Sequence, residues 1–400
     1  MMALYTLLTY MVINNASAEN TTMEARPVDL SSIVYRPGKG LQITSEDGDF
    51  KMITRLRAQM RYTLENSDSD WAHGMQIRRA RLLFQGNVFG EHNKYKFELA
   101  VSPKDIGLSS DGTISKSPLL DWYFHFDHLR DLNLRIGQYK VPYNRQRVVS
   151  SGNLQMVDRA IANGEFTMDR DVGMDIRSKK FLGSDKLRYY AGVYTGEGHS
   201  SFATGDLGMM YLTRAELLPL GSFKDYSEGS FRSSDPKISL GVAFAYLQDG
   251  KRDSGIIGDV PLDGGTTDTL NATADLCLRA STFSLEAAYF WREGTRNPGQ
   301  ALNADNTPIS VVAPRDGTGY YVQGGYFVTE QTVEITGRYG EIIPAESETS
   351  LEYRGEAGVG FNYYFAQHAF KLQTDYFRIF DEGGLAESES EFRLQLQMAY

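Results

Sequence analysis

The residues with the clearest chemical capacity are arginines spaced two positions apart. Arg55, Arg57 and Arg61 occur in one run, and Arg79 and Arg81 occur in the next. Side chains two residues apart on a β-strand point to the same face, so each run would present a row of guanidinium groups. A guanidinium offers a planar fork of donors that suits carboxylate and phosphate oxygens. The spacing therefore predicts a surface that attracts anions.

A second basic group lies in the longest polar segment, residues 141–170. It contains Arg145, Arg147 and Arg159. The acidic residues of this segment before position 169 are Asp158 and Glu165. Basic side chains that narrow a pore favour anions because they lower the electrostatic cost of passage. We expect this segment to form the constriction of such a pore.

Charge is distributed unevenly along the chain, with a basic first part and an acidic second part. Residues 51–160 carry 17 Lys and Arg against 11 Asp and Glu, whereas residues 161–400 carry 21 against 34. Acidic surface loops would account for much of the excess of Asp and Glu in residues 161–400. The excess of basic residues in the first part indicates an electrostatic function.

Motifs of catalytic or metal-binding chemistry are scarce in the sequence. The six His are scattered without an H-E-x-x-H spacing, and neither G-x-S-x-G nor a Walker A motif occurs. Cys277 is the single cysteine, which excludes an internal disulfide framework. We predict that the protein is not an enzyme and that it needs no metal or organic cofactor.

The first residues are similar to a secretory signal peptide. Residues 4–13 are mostly apolar and Ala16-Ser17-Ala18 forms an A-x-A cleavage site, although no Lys or Arg precedes them. We assign residues 1–18 to the signal peptide and residues 19–49 to an N-terminal lead-in. No later segment has the ~18 apolar residues that a membrane-spanning helix needs.

The elements that would position the arginines alternate in polarity with a period of two. One face of the first run carries Phe50, Met52, Thr54, Leu56, Ala58, Met60 and Tyr62. The other face carries Lys51, Ile53, Arg55, Arg57, Gln59 and Arg61. A helix would place apolar residues three and four apart, so this pattern predicts a strand. Lys96 falls on the polar face of the third such run, and Arg135 lies on the fifth, where the phase is less clear.

The connections between these runs alternate between short and long. Long polar connections are predicted near 64–74, 102–118, 141–170, 196–207, 248–267, 293–317, 341–350 and 379–389. One connection that should be short, 218–236, is longer than the pattern requires. Counting the runs gives about sixteen antiparallel strands over residues 50–400. Even strand numbers, short turns at one end and long loops at the other are typical of transmembrane β-barrels of bacteria.

The last strand is the sharpest local signal. Phe392, Leu394, Leu396, Met398 and Tyr400 alternate with polar residues, and the chain stops on the aromatic side chain. A final strand of this form resembles the recognition signal for assembly into the bacterial outer membrane.

Several motifs together resemble the phosphate-selective porin O and P family. They are IRRARL at 77–82, which would open the second strand, IGQYKVPY at 136–143, RDVGMD at 170–175, GFNYYF at 360–365 and HAFKLQ at 368–373. The resemblance implies a homotrimer of sixteen-stranded barrels, each with a third loop folded into the lumen.

The same resemblance implies which residues bind the solute. The binding zone of the family corresponds here to Arg78 with Arg79, Asp121, Arg147, Ser150 with Ser151, and more loosely Arg159. Alternation lets only one of the two adjacent arginines point inward unless a β-bulge intervenes. Gly152 stands where some members have Lys, which weakens strict phosphate selectivity.

We therefore predict an all-β outer-membrane porin for passive diffusion of small anions, with phosphate or polyphosphate favoured. Its partners would be these solutes, the surrounding lipid and two further copies of itself, and no nucleic acid. One alternative is a general or carbohydrate-leaning porin whose arginines are neutralised by lumen carboxylates. Candidates for these carboxylates are Glu98, Glu286, Glu334 and Asp375. Alternatives from other classes are a barrel lipase or protease and a plugged structural barrel.

Overall fold

A computed structural model describes residues 32–67, 70–109, 112–199, 208–231 and 233–400. The proposed signal peptide lies outside the described residues. The strands are β1 (Val34–Arg36), β2 (Gly40–Thr44), β3 (Lys51–Ser67), β4 (Asp70–Asn87), β5 (Asn93–Ala100), β6 (Leu119–Phe126), β7 (Asn133–Lys140), β8 (Arg170–Ser178), β9 (Leu187–Tyr194), β10 (Met209–Leu217), β11 (Ser233–Gly250), β12 (Thr266–Ser281), β13 (Phe283–Asn297), β14 (Gly317–Thr329), β15 (Val333–Pro344), β16 (Arg354–Ala366), β17 (Phe370–Phe380) and β18 (Glu389–Ala399).

Sixteen of these strands, β3 to β18, form a closed antiparallel barrel. Each strand pairs with its sequence neighbours, and β18 pairs with β3 to close the ring. At this seam the backbone N–H groups of Leu56 and Tyr400 each donate to the carbonyl of the other residue at 3.0 Å. The predicted barrel and its strand number are therefore confirmed. The lead-in contributes β1 and β2, a hairpin in which β2 pairs with the start of β3.

Alternation along each strand separates an outer apolar face from an inner polar one. On β14, for example, Val322 is 45% exposed, whereas its neighbours Tyr321 and Gln323 are 1% and 0% exposed. Side chains that face outward in a transmembrane barrel contact lipid, so exposed apolar residues are expected there. The inner face carries the basic residues of β3 and β4.

Loop lengths follow the predicted parity with one correction. The first loop, predicted at 64–74, is absent: β3 runs to Ser67 and β4 starts at Asp70. Glu65 and Asn66 are polar like loop residues, but they pair with β4 beyond the arginine rows. As a result, IRRARL lies in the middle of β4 and does not open it. We call the end with the long loops the loop end and the opposite end the turn end.

The helices are short. They are α1 (Pro103–Ile106), α2 (Arg145–Val148) and α3 (Ile161–Phe166). Among the described helices, none has the length and apolar character needed to cross a membrane.

Candidate functional site

The loop between β7 and β8, residues 141–169, crosses the interior of the barrel, and we call it the inward loop. Gln59 on β3 donates to the Ser151 carbonyl at 3.2 Å, and Gln155 donates to the Ser284 hydroxyl on β13 at 2.7 Å. Further along, the Val157 N–H donates to Asp375 on β17 at 2.9 Å. β13 and β17 lie at least five strands away from β7 and β8 around the ring, so the loop that reaches them lies inside it.

A second segment enters from the turn end. This inward turn, residues 218–231, falls in the connection whose length exceeded the sequence pattern. The N–H of Glu228 donates to the Asn153 carbonyl at 2.9 Å, and its carboxylate accepts from the Gln155 N–H at 2.6 Å. The two inward segments therefore meet inside the barrel.

Arg145 of α2 joins both segments to the wall. It is 1% exposed and donates to Asp225 of the inward turn at 2.6 Å, to Asp275 on β12 at 2.9 Å and to Ser239 on β11 at 2.8 Å. Burial acts to lower its pKa, but the nearby carboxylates, Asp275 first among them, hold it well above its ordinary value. Arg145 was predicted to line the pore; the structure instead places it where a solute has no access.

The exposure of inward side chains differs between the two sides of the barrel. On the side opposite β3–β8, which we call the far wall, the inward carboxylates are buried. The side chains of Glu286, Glu356 and Asp375 on β13, β16 and β17 are 1%, 3% and 0% exposed. On the near wall, formed by β3–β8, the side chains of Arg78 and Lys96 are 16% and 20% exposed. The predicted arginine rows of β3 and β4 therefore lie on the side of the barrel where inward side chains are more exposed.

A cavity of about 730 Å³ opens toward the loop end, and we call it the loop-end cavity. Seven basic side chains and two carboxylates line it. The basic residues are Arg78, Arg81, Lys104, Lys116, Arg147, Arg170 and Arg252, and the acidic ones are Asp105 and Asp169. Because low-dielectric walls strengthen electrostatic interactions, this excess of positive charge favours anions.

Both adjacent arginines of β4 point into the barrel. Gln59 pairs with Arg79 and Met60 pairs with Ile77, so Arg78 is the extra residue of a β-bulge. Arg79 donates to Asp158 of the inward loop at 3.1 Å, and a nitrogen of Arg78 lies 3.8 Å from the same carboxylate. The bulge therefore removes the restriction that strict alternation imposes.

Carboxylates neutralise several other basic residues of the near wall. Arg81 lies 3.3 Å from Glu98, and Lys96 contacts both Glu98 and Asp121. Asp121 also accepts from Arg170 at 2.6 Å. Asp121 is thus a shared acceptor within a basic wall, and Glu98 belongs to the same network.

A cavity of about 600 Å³ toward the turn end differs, because no carboxylate lines it; we call it the turn-end cavity. Its basic lining residues are Lys39, Arg55, Arg57 and Lys224. None of these four forms an ion pair with a carboxylate of the described chain. Arg57 donates to the hydroxyls of Ser150 and Ser151 at 2.8 and 3.0 Å. These hydroxyls fix the guanidinium without cancelling its charge.

The remaining predicted residues contact other parts of the chain. Arg147 pairs with Asp169, and Arg159 donates to the carbonyls of Gln146 and Val149 at 2.9 and 2.6 Å. Burial, together with the neighbouring positive charges, lowers the pKa of Arg159 well below its ordinary value. Arg135 on β7 stacks over the Tyr123 ring at 4.2 Å and over Tyr139.

Lys39 and Lys224 were missed from the sequence. Neither belongs to an alternating run: Lys39 lies in the β1–β2 turn and Lys224 in the inward turn. Only the unusual length of the second connection could have indicated an inward position. Asp158 is one of the few acidic residues of its loop, but its position in the sequence does not predict its three arginine partners.

The fold of the chain is similar to those of several proteins of known structure. The chain aligns with the anion-selective porin from Comamonas acidovorans at a TM-score of 0.56 and 13% identity, over 87% of this chain and 99% of that one. The outer membrane channel DcaP of Acinetobacter baumannii gives 0.55 and 13%, over 90% and 100%. OmpT of Vibrio cholerae, in its in-vitro folded trimer form, gives 0.52 and 12%, over 87% and 99%. At these identities the likeness shows the fold alone.

Sequence comparison is more specific. No curated protein sequence matches the chain. The profile of the family described as phosphate-selective porin O and P, however, matches residues 50–382, which is most of the barrel. The chain therefore belongs to the phosphate-selective porin O and P family.

Proposed function

We propose that the chain is a passive porin that prefers small anions. Its family and its closed barrel are those of a channel in the bacterial outer membrane. The observation that carries the anion preference is the turn-end cavity, where Lys39, Arg55, Arg57 and Lys224 line the path without a carboxylate. The loop-end cavity adds a second basic region, so an anion meets positive charge on both sides of the constriction.

The leading solute class is phosphate or polyphosphate. Arg57, with Ser150 and Ser151, presents nitrogen and hydroxyl donors next to the turn-end cavity, which suits a tetrahedral anion. Gly152 makes room for this arrangement, because a Cβ there would lie 2.2 Å from Arg57 Nη1. The glycine that replaces Lys of some relatives thus leaves space for a guanidinium.

The test is the zero-current potential of the purified protein in a planar bilayer under a salt gradient. We expect an anion-selective reversal for the wild type and a shift toward cations for Arg55→Glu. Lys186→Glu is the matched control, since it makes the same charge change at an exposed turn position outside both cavities. A neutral or cation-selective wild type would contradict the proposal.

A general porin is the second candidate, because many lumen arginines have carboxylate partners. Arg81 with Glu98, Arg279 with Glu286 and Arg393 with Asp375 are such pairs, although Glu334 bonds to Gln155, Asn362 and Tyr364 instead. A general porin would show a zero-current potential without preference for anions or cations, and phosphate would not block its current. The four cations of the turn-end cavity favour the anion porin.

A barrel hydrolase has less support. The histidine–carboxylate contact at the turn end joins His92 to Asp127 at 3.0 Å, and the other ring nitrogen of His92 lies 3.6 Å from Glu91. For hydrolysis, a serine nucleophile would also need to lie within hydrogen-bond reach of the His92 ring. Mutating His92 to Ala should leave conductance unchanged.

Export and assembly complete the proposal. Residues 1–18 act as the signal peptide, and residues 19–49 precede the barrel. The protein assembles as a homotrimer in outer-membrane lipid, an assembly supported by a similarly folded protein of known structure in trimer form. The ratio of masses of the crosslinked and monomeric protein tests the trimer.

A further inference from the structure

One carboxylate of the inward loop contacts three arginines of the near wall. Asp158 accepts from Arg61 at 2.7 Å and from Arg79 at 3.1 Å, and Arg78 lies at 3.8 Å. The Asp158 side chain is 25% exposed and that of Arg78 is 16% exposed, so water reaches this cluster. Burial opposes ionisation of Asp158, but Arg79, Arg61 and Arg78 hold its pKa well below the usual range.

The arginines are held in place by contacts other than Asp158. Arg61 also donates to the Gln395 side chain at 3.2 Å and to the Val157 carbonyl at 3.0 Å. Arg79 donates to the Gln59 side chain at 3.1 Å. Arg61 and Arg79 belong to paired strands of the barrel wall, which fixes their backbone. The cluster would therefore keep its shape if Asp158 lost its charge.

We propose that Asp158 is a tethered anion that occupies the site formed by Arg61, Arg78 and Arg79 and thereby keeps solute anions weakly bound. The carboxylate oxygens lie where the oxygens of a phosphate would be bound by the same guanidiniums. Conduction requires binding that is weak enough for release, and a three-arginine site without an internal counter-charge would retain a multivalent anion. Asp158 thus sets the residence time of the solute, a role that rests on the proposed anion-porin function.

The test compares inorganic phosphate as a blocker of chloride current in wild-type, Asp158→Asn and Asp158→Ser channels. Both variants remove the charge, and the second also removes bulk. We expect the phosphate concentration for half block to fall about tenfold in each variant, since phosphate then gains charge-assisted hydrogen bonds that Asp158 had taken. Glu330→Gln, which removes one carboxylate at an exposed turn, is the matched control and should stay within about twofold of the wild type.

The outcomes separate this inference from the proposed function. The reversal potential is measured on the same channels, and a wild type without anion preference overturns the proposed function. An anion-selective wild type with unchanged phosphate block in both variants overturns the tethered-anion role. Failure of both variants to form channels also overturns it, because it would show that the carboxylate serves to hold the loop.

Discussion

Arg145 of the inward loop and Asp225 of the inward turn form an ion pair at 2.6 Å in which both side chains are at most 3% exposed. The pair joins segments that come from opposite ends of the barrel. Asp225 also accepts from Arg188 on β9 at 2.9 Å, so the contact is tied to the wall. A buried pair of this kind fixes the two inward segments relative to each other and to the wall.

Breaking this pair should loosen the constriction. We expect Asp225→Asn to cost about 3 kcal/mol, because it leaves two buried guanidiniums with one fewer carboxylate. The folded band on an unboiled denaturing gel should disappear at a lower temperature than in the wild type, and open-channel noise should increase. Glu330→Gln, at an exposed turn, is the control. Equal melting of the two variants would show that the pair does not anchor the loop.

A charged side chain on the outer face of the barrel should lower the stability of the fold. Val322→Arg on β14 places a guanidinium where the side chain is 45% exposed toward the membrane. We expect a loss of about 2–4 kcal/mol, the cost of Arg near the bilayer midplane. Urea titration of the protein folded into lipid vesicles measures this loss, with Val322→Ala as the control for the lost side chain. A free energy of unfolding equal to that of Val322→Ala would mean that this position does not face lipid.

The inward loop should withstand mild acid. Burial raises the cost of charging Asp158 and Asp169, but neighbouring arginines lower both pKa values: Arg79 first for Asp158, and Arg147 first for Asp169. A carboxyl whose pKa is depressed by folding stabilises the fold above its unfolded value, about 3.9, and loses this contribution as the pH falls through the folded value. The folded fraction on unboiled gels should therefore stay constant from pH 7 to 5. Unfolding within that range would contradict these ion pairs.

Selectivity should nevertheless respond to acid through His199. This residue lines the loop-end cavity, and its ring donates to the Leu119 carbonyl at 2.5 Å. Burial lowers its pKa, and Arg170 acts in the same direction against the opposing carboxylates, so the ring gains its charge only below pH 6.5. We expect the reversal potential to become more anion-selective as the pH is lowered below about 6.5, where the ring gains its charge. His199→Gln should remove this change, and a persistent change would assign it to another group.

The barrel follows from the sequence because its wall repeats a local rule. Alternation at 50–62 and the parity of loop lengths predicted sixteen strands, which the closed β3–β18 ring confirms. The rule fails at 64–74, since a strand that continues past its buried part carries polar residues on both faces. Composition alone does not distinguish such residues from a loop.

The interior was less predictable because it depends on contacts between distant residues. The basic character of the near wall could be read from Arg55 and Arg57, whereas the sealing of the far wall depends on partners such as Asp225 and Asp275. These lie 80 and 130 positions from Arg145. The sequence shows that Arg78 and Arg79 can both point inward only if a β-bulge is present. It does not predict the bulge, since no single residue there requires it.

The two inward segments also separate the circumference of the barrel from its bore. Sixteen strands fix the circumference. The bore is whatever the inward loop and inward turn leave open beside β3–β8. Conductance should therefore fall well below that of an unfilled sixteen-stranded cylinder. Substitutions within these segments can widen or narrow the bore without altering any residue that touches lipid, so permeability and membrane fit can evolve independently.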